Sequence, residues 1–314
     1  METSEDDQVN MTNKLDSSKR IHFIGIGGIG MSGLARLLKS EGKTVTGSDQ
    51  SVTPITCGLQ ALHIDVKDKQ VADNITNDID LVVYTEAMSE EHEEMVAARE
   101  KGISMMNYFQ ALGEVANEYY LIAVSGTHGK TTTTAMLIDI LEEASYDPTA
   151  IVGALRTKTG SNFRPGKSKY FVVEACEYKR DFLTLKPDVL VITNIELEHV
   201  DYYKDLREVQ DAFYELVQKV PEEGAVIADT SNSSVSNVLE GAKANVIDFK
   251  DFVDMNLYLH LPGIHNRLNA AAASATAHFL KIEKHFVTQA LENFAGTARR
   301  FEYKGLCSNA HVYD

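Results

Sequence analysis

Three shortages narrow the possibilities before any motif is read. No apolar run in the 314 residues is long enough to cross a bilayer, and the opening segment is polar and mainly acidic with no apolar centre. Neither a membrane span nor a secretion signal is therefore expected. Residues 1–19 read as a disordered leader, and the chain as cytoplasmic. Cysteine is the second shortage: Cys57, Cys176 and Cys307 are odd in number and widely separated. That excludes a disulfide framework, shows no zinc-like spacing and leaves free thiols as the simplest assignment. Positive charge is the third. Thirty Lys and Arg against 46 Asp and Glu leave a formal net charge of -16. A general polyanion-coating role is disfavoured and no nucleic-acid partner is expected, although a local cationic pocket can still hold a nucleotide. Internal repeats and low-complexity segments are also absent.

What the chain does have is length and hydrophobic content for two cores: 314 residues, 44% of them hydrophobic. Residues 21–25, 44–48, 81–85 and 103–106 read as short buried strands separated by helical patterns, which predicts a parallel sheet. Met31, Leu34, Ala35, Leu37 and Leu38 recur at helical spacing, and Gly42 suits the stop of that helix. A second α/β series begins with a strand over 120–124 and a helix over 131–144. It continues through strands at 171–174, 189–193 and 225–228 and a helix at 206–217. Alanine-rich residues 266–280 are helical by propensity, whereas 229–260 carry no clear pattern. The boundary between the two series falls near Glu118.

The most specific local signal is Gly126-Thr127-His128-Gly129-Lys130-Thr131-Thr132-Thr133, placed after an apolar strand and opening a helix. Glycines there let backbone N–H groups and the positive end of the helix approach a phosphate. Lys130 is expected to reach the outer phosphates and Thr131 to ligate Mg²⁺. Val124 stands where the usual eight-residue phosphate-loop pattern has its first glycine. The alternative is a Gly/Thr-rich turn before an ordinary helix.

A second glycine cluster, Gly25-Ile26-Gly27-Gly28-Ile29-Gly30, fits G-x-G-x-x-G at the first strand–helix turn. Asp49 follows about twenty residues later, where a ribose contact is expected. Alone, the cluster suggests a dinucleotide-dependent oxidoreductase or simply close helix–strand packing. Together with the second loop it predicts a chain that holds two nucleotides, which hydride transfer does not need.

At this point the chain resembles the Mur ligases of bacterial cell-wall synthesis, and within them the alanine-adding branch, over residues 20–314. The likeness is carried by the run from Ile21 to Gly33, the loop from Gly126 to Thr133 and Glu174-Ala175-Cys176-Glu177-Tyr178. It continues in the run from Thr193 to Tyr203, Pro262-Gly263-Ile264-His265-Asn266-Arg267-Leu268-Asn269-Ala270 and Arg299-Arg300-Phe301-Glu302. It implies an α/β protein: a Rossmann-like parallel-sheet domain over 20–117 that binds a UDP-sugar, then a P-loop-type α/β ATP-binding domain over 118–300. It also implies that 301–314 begin a linker to a C-terminal domain that lies beyond Asp314 and is needed for closure of the active site.

The implied activity is ATP-dependent ligation of L-alanine to UDP-N-acetylmuramate through an acyl phosphate, in peptidoglycan synthesis, with ATP and Mg²⁺ as cofactors. Gly126, Thr127, His128, Gly129, Lys130, Thr131 and Thr132 are assigned to the ATP phosphates. His265, Asn266, Asn269 and Arg300 are assigned to the rest of the nucleotide. The metal falls to Thr131, Glu174 and His199, and the UDP-sugar to Gly27, Gly28, Ile29, Gly30, Asp49 and Thr85. His128 is assigned a place near the muramoyl carboxylate as well.

Read without the likeness, several of these residues have plainer accounts. Glu174 is a solvated strand-end carboxylate, His199 a structural histidine, and of the two asparagines one caps the helix while the other faces solvent. Segment 209–213 lacks the lysine that other Mur ligases carbamylate to hold magnesium, in keeping with the alanine-adding branch. Two other activities compete. One is a sister ligase that attaches recycled peptide to the same UDP-sugar; the other is a non-catalytic nucleotide-binding protein of the same fold.

Overall fold

The computed structural model describes residues 14–300, 303–308 and 310–314. The chain divides into two compact units, the first ending at Val115 and the second starting at Ala116. The first unit begins with a helical turn, α1 (Lys14–Ser17), then β1 (Arg20–Ile24), α2 (Ile29–Ser40), β2 (Thr44–Ser48), α3 (Pro54–Gln60) and β3 (Asp65–Lys67). It continues with β4 (Leu81–Tyr84), α4 (Glu93–Glu100), β5 (Ser104–Asn107) and α5 (Tyr108–Ala116). Its five strands are all parallel in the order β3-β2-β1-β4-β5.

β1 lies at the centre, with β2 and β4 on either side, so the strand order reverses beside its carboxyl end. In open parallel sheets that crevice is where ligands bind, and it is where Gly25–Gly30 sit. α2 buries Met31, Leu34, Ala35, Leu37 and Leu38 on one face, as their spacing predicts.

The opening segment differs in part from a disordered leader. Leu15 is buried and its N–H donates to Glu114 at 2.9 Å. The Lys43 ammonium donates to the carbonyls of Leu15, Asp16 and Ser18 at 2.8–2.9 Å. A lysine that donates to three carbonyls at once fixes this turn. Residues 1–13 lie outside the described residues.

The second unit starts with β6 (Tyr120–Ser125), α6 (Lys130–Glu143), β7 (Thr149–Arg156), β8 (Ser161–Arg164), β9 (Tyr170–Glu174), β10 (Val189–Ile192) and α7 (Leu206–Val217). Then come β11 (Ala225–Ala228), α8 (Ser233–Ser236), β12 (Asn245–Asp248), α9 (Ile264–Phe279) and α10 (Lys284–Glu292). The sheet order is β12-β11-β10-β6-β9-β7-β8, parallel except for the β7–β8 hairpin. Neither that hairpin nor the elements within 229–260 are announced by the sequence pattern. β7 carries Gly153 in mid-strand, and β12 is four residues long with a half-polar sequence.

β6 is flanked by β9 and β10, so the second reversal of strand order falls at the phosphate-loop candidate. Residues Thr131–Leu141 of α6 are all buried. α9 covers the helix with Ala270–Ala273, Ala275 and Ala277, whose short side chains let the two helices approach closely. The terminal residues 301–314, expected as linker, contain a two-stranded antiparallel pair, β13 (Tyr303–Cys307) and β14 (Ala310–Tyr313).

A buried polar network ties the first sheet together. Glu94 is fully buried and accepts from Ser48 Oγ at 2.6 Å and Asn74 Nδ2 at 2.7 Å, with His22 Nε2 at 3.6 Å. Burial raises the carboxyl pKa, but His22, Ser48 and Asn74 outweigh it and hold the group below its ordinary 4.5. A depressed native pKa contributes stability that is present above the unfolded value and lost as pH falls through the native one. Urea midpoints of the wild-type protein should therefore fall as pH drops below about 4.5. In Glu94→Gln that acid-dependent component should shrink, and an unchanged acid slope would remove Glu94 from the account.

Candidate functional site

In the second unit the turn after β6 owes its shape to two glycines in the left-handed region, Gly126 at φ 124° and Gly129 at φ 85°. Gly129 caps α6, and no side chain bonds to its first amides. The loop is pinned to the end of β10. Thr127 N–H donates to Asn194 O at 3.1 Å, His128 N–H to Asn194 Oδ1 at 2.9 Å, and Thr193 Oγ1 to His128 O at 2.6 Å. Thr127 Oγ1 accepts from Glu196 N–H at 2.9 Å. The arrangement holds the helix start open toward an anion, as phosphate sites require.

Lys130 folds back across this loop. Its ammonium donates to Gly126 O at 2.5 Å and Thr127 O at 3.1 Å and meets both oxygens of Glu177 at 3.1 and 3.0 Å. Glu177 is only 1% exposed. It was quoted in the matched run but not among the expected site residues. Its signal was present, because it stands three residues after Glu174 where β9 gives way to a tight 3-10 turn. What hid it is that the turn runs through left-handed Lys179 and Arg180, a geometry the residue types do not announce.

The three residues assigned to the metal divide into two groups. Thr131 Oγ1 donates to Glu174 Oε2 at 2.9 Å, and Glu174 Oε1 accepts from Gly153 N–H at 2.5 Å. Glu174 is thus a fixed carboxylate and not a freely solvated strand end. Burial raises its pKa, opposed by those two hydrogen bonds and by the charges of Arg300 and Lys130. His199 joins a different set: Glu177, Glu198 and His199 each bring one donor atom within 4.8 Å of the others. His199 itself is left-handed at φ 55° and stacks obliquely on Tyr178 with ring centres 4.7 Å apart. Together these oxygens suit a hard divalent cation, with the imidazole as its less usual partner.

Asn266 and Asn269 are both buried, and the helix cap is Gly263, so neither asparagine caps α9 nor faces solvent. Asn266 Nδ2 donates to Pro262 O at 2.8 Å, and Asn269 Nδ2 to Asn266 Oδ1 at 3.4 Å. Asn269 Oδ1 lies over Gly129, where an added Cβ would come within 2.4 Å of it. His265 is exposed, its ring over Gly263. Arg300 is exposed and bridged through its backbone to Thr297. Thr132 is buried in the first turn of α6, and His128 is exposed with Nε2 3.9 Å from Glu196.

In the first unit the glycines of the turn have separate reasons. Gly27 N–H donates to Asp49 Oδ2 at 2.8 Å, and a Cβ on Gly27 would lie 2.7 Å from that oxygen. Gly30 lies against the Tyr108 ring, 2.6 Å from an added Cβ. Gly25, at φ 80°, presses on Thr85. Gly28 alone of the four is exposed, and its nearest neighbours would stand at an ordinary 3.4 Å from a Cβ. Gly28 is the N-cap of α2, which starts at Ile29. Asp49 therefore braces the turn as well as standing where a ribose contact was expected.

Two glycine turns, each opening a helix at a strand-order reversal, define an α/β scaffold of two sheet-based units, and comparison with known proteins places it in one family. Residues 20–120 match the Mur ligase family, catalytic domain, and residues 124–252 the Mur ligase middle domain. The chain belongs to the Mur ligase family. It is 39% identical to the UDP-N-acetylmuramate–L-alanine ligase of Clostridium kluyveri, with 95% of this chain and 71% of that protein covered. The enzyme of the same name from Agathobacter rectalis is also 39% identical, with 96% and 72% covered. Among solved structures, UDP-N-acetylmuramate-alanine ligase from Thermotoga maritima superposes with a TM-score of 0.81 at 29% identity, covering 94% of this chain and 73% of that one. The UDP-N-acetylmuramate:L-alanyl-gamma-D-glutamyl-meso-diaminopimelate ligase of Neisseria meningitides gives 0.82 at 29%, covering 90% and 100%. Among the described residues, no helix is long and apolar enough to cross a membrane.

The contact between Gly129 and Asn269 yields a double-mutant test. Gly129→Ala should destabilise by about 1–2 kcal/mol from left-handed strain alone, plus the collision with Asn269. Adding Asn269→Ala should relieve the collision but not the strain, so denaturant midpoints should show a non-additive, partial rescue. Strict additivity would mean that the two residues do not touch.

Proposed function

We propose that this chain ligates L-alanine to UDP-N-acetylmuramate at the expense of ATP. One observation carries the choice of substrate: curated relatives 37–39% identical over 94–96% of the chain share the name UDP-N-acetylmuramate–L-alanine ligase. In this reading the exposed Gly28 and the start of α2 receive the diphosphate of the UDP-sugar, flanked by Gly27, Ile29, Gly30, Asp49 and Thr85. The loop from Gly126 to Thr132 receives the ATP phosphates. His265, Asn266, Asn269 and Arg300 surround the remainder of the nucleotide.

A carboxylate is a poor electrophile, so the acid is activated first. Its oxygen attacks the γ-phosphorus, ADP leaves, and a mixed anhydride forms. The L-alanine nitrogen then attacks the acyl carbon, inorganic phosphate leaves with the bonding electrons, and the amine loses a proton. The protein's share is positioning and charge neutralisation. The Lys130 ammonium and the amides that open α6 balance charge on the transferring phosphoryl. Exposed His128 is proposed to face the muramoyl carboxylate. Thr131 and Glu174 on one side, and His199 with its Glu177–Glu198 group on the other, are the residues proposed to hold one or two Mg²⁺ ions, which when bound would withdraw charge from phosphate oxygens. Glu174 brings to that task a carboxylate already oriented by Thr131 and Gly153.

The second reading, ligation of an L-alanyl peptide to the same sugar, is favoured by the likeness to the Neisseria structure. Mass detection separates the two in one assay: UDP-N-acetylmuramate and ATP supplied with L-alanine or with the L-alanyl-γ-D-glutamyl-diaminopimelate tripeptide. Product with L-alanine is expected. Product with the tripeptide alone would move the chain to the sister activity, and calorimetric silence toward both UDP-N-acetylmuramate and ATP would support a protein that uses neither.

Two substitutions separate the units. Gly28→Asp has room in the fold, so it should weaken UDP-N-acetylmuramate binding through like-charge repulsion while leaving ATP binding intact. Lys130→Ala should do the reverse, weakening ATP by roughly tenfold or more through loss of a charge-assisted contact. Calorimetry that found either variant equal to wild type toward its own ligand would overturn the corresponding assignment.

A further inference from the structure

Glu177 is a buried carboxylate with two sets of partners. Both of its oxygens hold the Lys130 ammonium at 3.0–3.1 Å, and Oε1 also lies 3.6 Å from His199 Nε2. The same side chain belongs to the cluster with Glu198 and His199 whose donor atoms lie within 4.8 Å of one another. The residue is 1% exposed, and Tyr203 Oη, itself buried, donates to its backbone carbonyl at 2.5 Å. The turn that follows is held in left-handed geometry at Lys179 and Arg180. This carboxylate is therefore fixed between a lysine and a group of potential cation ligands.

Charge decides what this placement does. A phosphate drawn to Lys130 competes with Glu177 for one ammonium group, because a lysine offers three donors and two loop carbonyls already engage it. Once the lysine turns toward phosphate, the carboxylate loses its counter-charge in a site shielded from water, where an uncompensated ion is costly. A divalent cation beside Glu198 and His199 supplies the replacement.

We propose that Glu177 is a positioning residue that couples nucleotide binding at Lys130 to divalent-cation binding at the Glu198–His199 side of the loop. The inference rests on the ATP reading above and adds to it a residue and a linkage. By reciprocity, the cation must strengthen nucleotide binding by the same factor that nucleotide strengthens cation binding. Glu177 sets part of that factor. A neutral amide at the same place leaves Lys130 less tightly held and gives the cation one charge fewer, so it lowers the coupling without abolishing the phosphate contact.

The test is calorimetric titration of the full chain with a non-hydrolysable ATP analogue in EDTA and in Mg²⁺, for wild type, Glu177→Gln and Glu198→Gln. In wild type the metal should tighten binding. In Glu177→Gln the metal-free affinity should be equal or higher, and the Mg²⁺ enhancement should fall by about tenfold, the size of change that loss of a metal-site partner produces. Mn²⁺, which accepts imidazole more readily, should reveal the same deficit. Exposed Glu198 can be changed at little risk to folding, and Glu198→Gln should reduce the enhancement in the same direction. That keeps the inference testable should Glu177→Gln fail to fold.

A purely structural role would weaken binding equally with and without metal. That result, or an unchanged enhancement in Glu198→Gln when Glu177→Gln cannot be purified, overturns the coupling while leaving the ATP assignment standing. Wild-type protein that bound no nucleotide under either condition would instead overturn the ATP assignment and the coupling with it.

Discussion

The second unit is organised around a backbone constraint at one residue. α6 can begin where it does only because Gly129 turns in the left-handed region, and the space that a side chain would need there is filled by Asn269. The absence of one Cβ therefore brings the α9 side chain onto the phosphate loop. The same turn aims α6 amides out of the end of the sheet and sends Lys130 back over the loop. The flanking strand ends then supply Glu174 from β9 and Thr193–Asn194 after β10. Remove the left-handed turn, and helix packing, loop closure and charge placement all change together.

How much of this was legible depended on whether the chemistry was local. The two glycine turns were readable because a phosphate demands the same few residues in one short stretch. The strands that sit centrally, at 21–25, 81–85, 120–124 and 189–193, announced themselves as short, mainly apolar runs, since both their faces are covered. β8 and β12 did not, because edge strands owe their existence to a neighbour's hydrogen bonds and can carry polar residues, and β7 did not because Gly153 interrupts it. The turn at residues 14–18 was not legible for a similar reason: its composition says nothing of Lys43, almost thirty residues later, closing over its carbonyls. Glu177 lay in plain view in the sequence, but its role depends on Lys130, 47 positions away.

Net charge gives a similar lesson at a larger scale. A chain carrying -16 holds sites read as receiving highly charged anions. The two are compatible, because backbone amides at helix starts contribute positive potential without altering formal charge. Lys130 and Arg300 both act on Glu174. Elsewhere acids outnumber bases. The global field therefore says little about the sign of any particular pocket.

α6 is also secured along its length. At its start, Thr131 is joined through Glu174 to Gly153 of β7. Roughly three turns later, Asp139 and Glu142 engage Arg156, three residues beyond Gly153 at the end of the same strand; Arg156 and Arg164 overcome the effect of burial and hold the Glu142 carboxyl down to about 2. A helix fastened to one strand at two points cannot slide past it. A shift of a single residue along the axis is about 1.5 Å, enough to break both attachments. The hairpin edge of the sheet thus works as a gauge: the distance between the phosphate loop and its carboxylate is set by a strand whose own residues were invisible as part of any site.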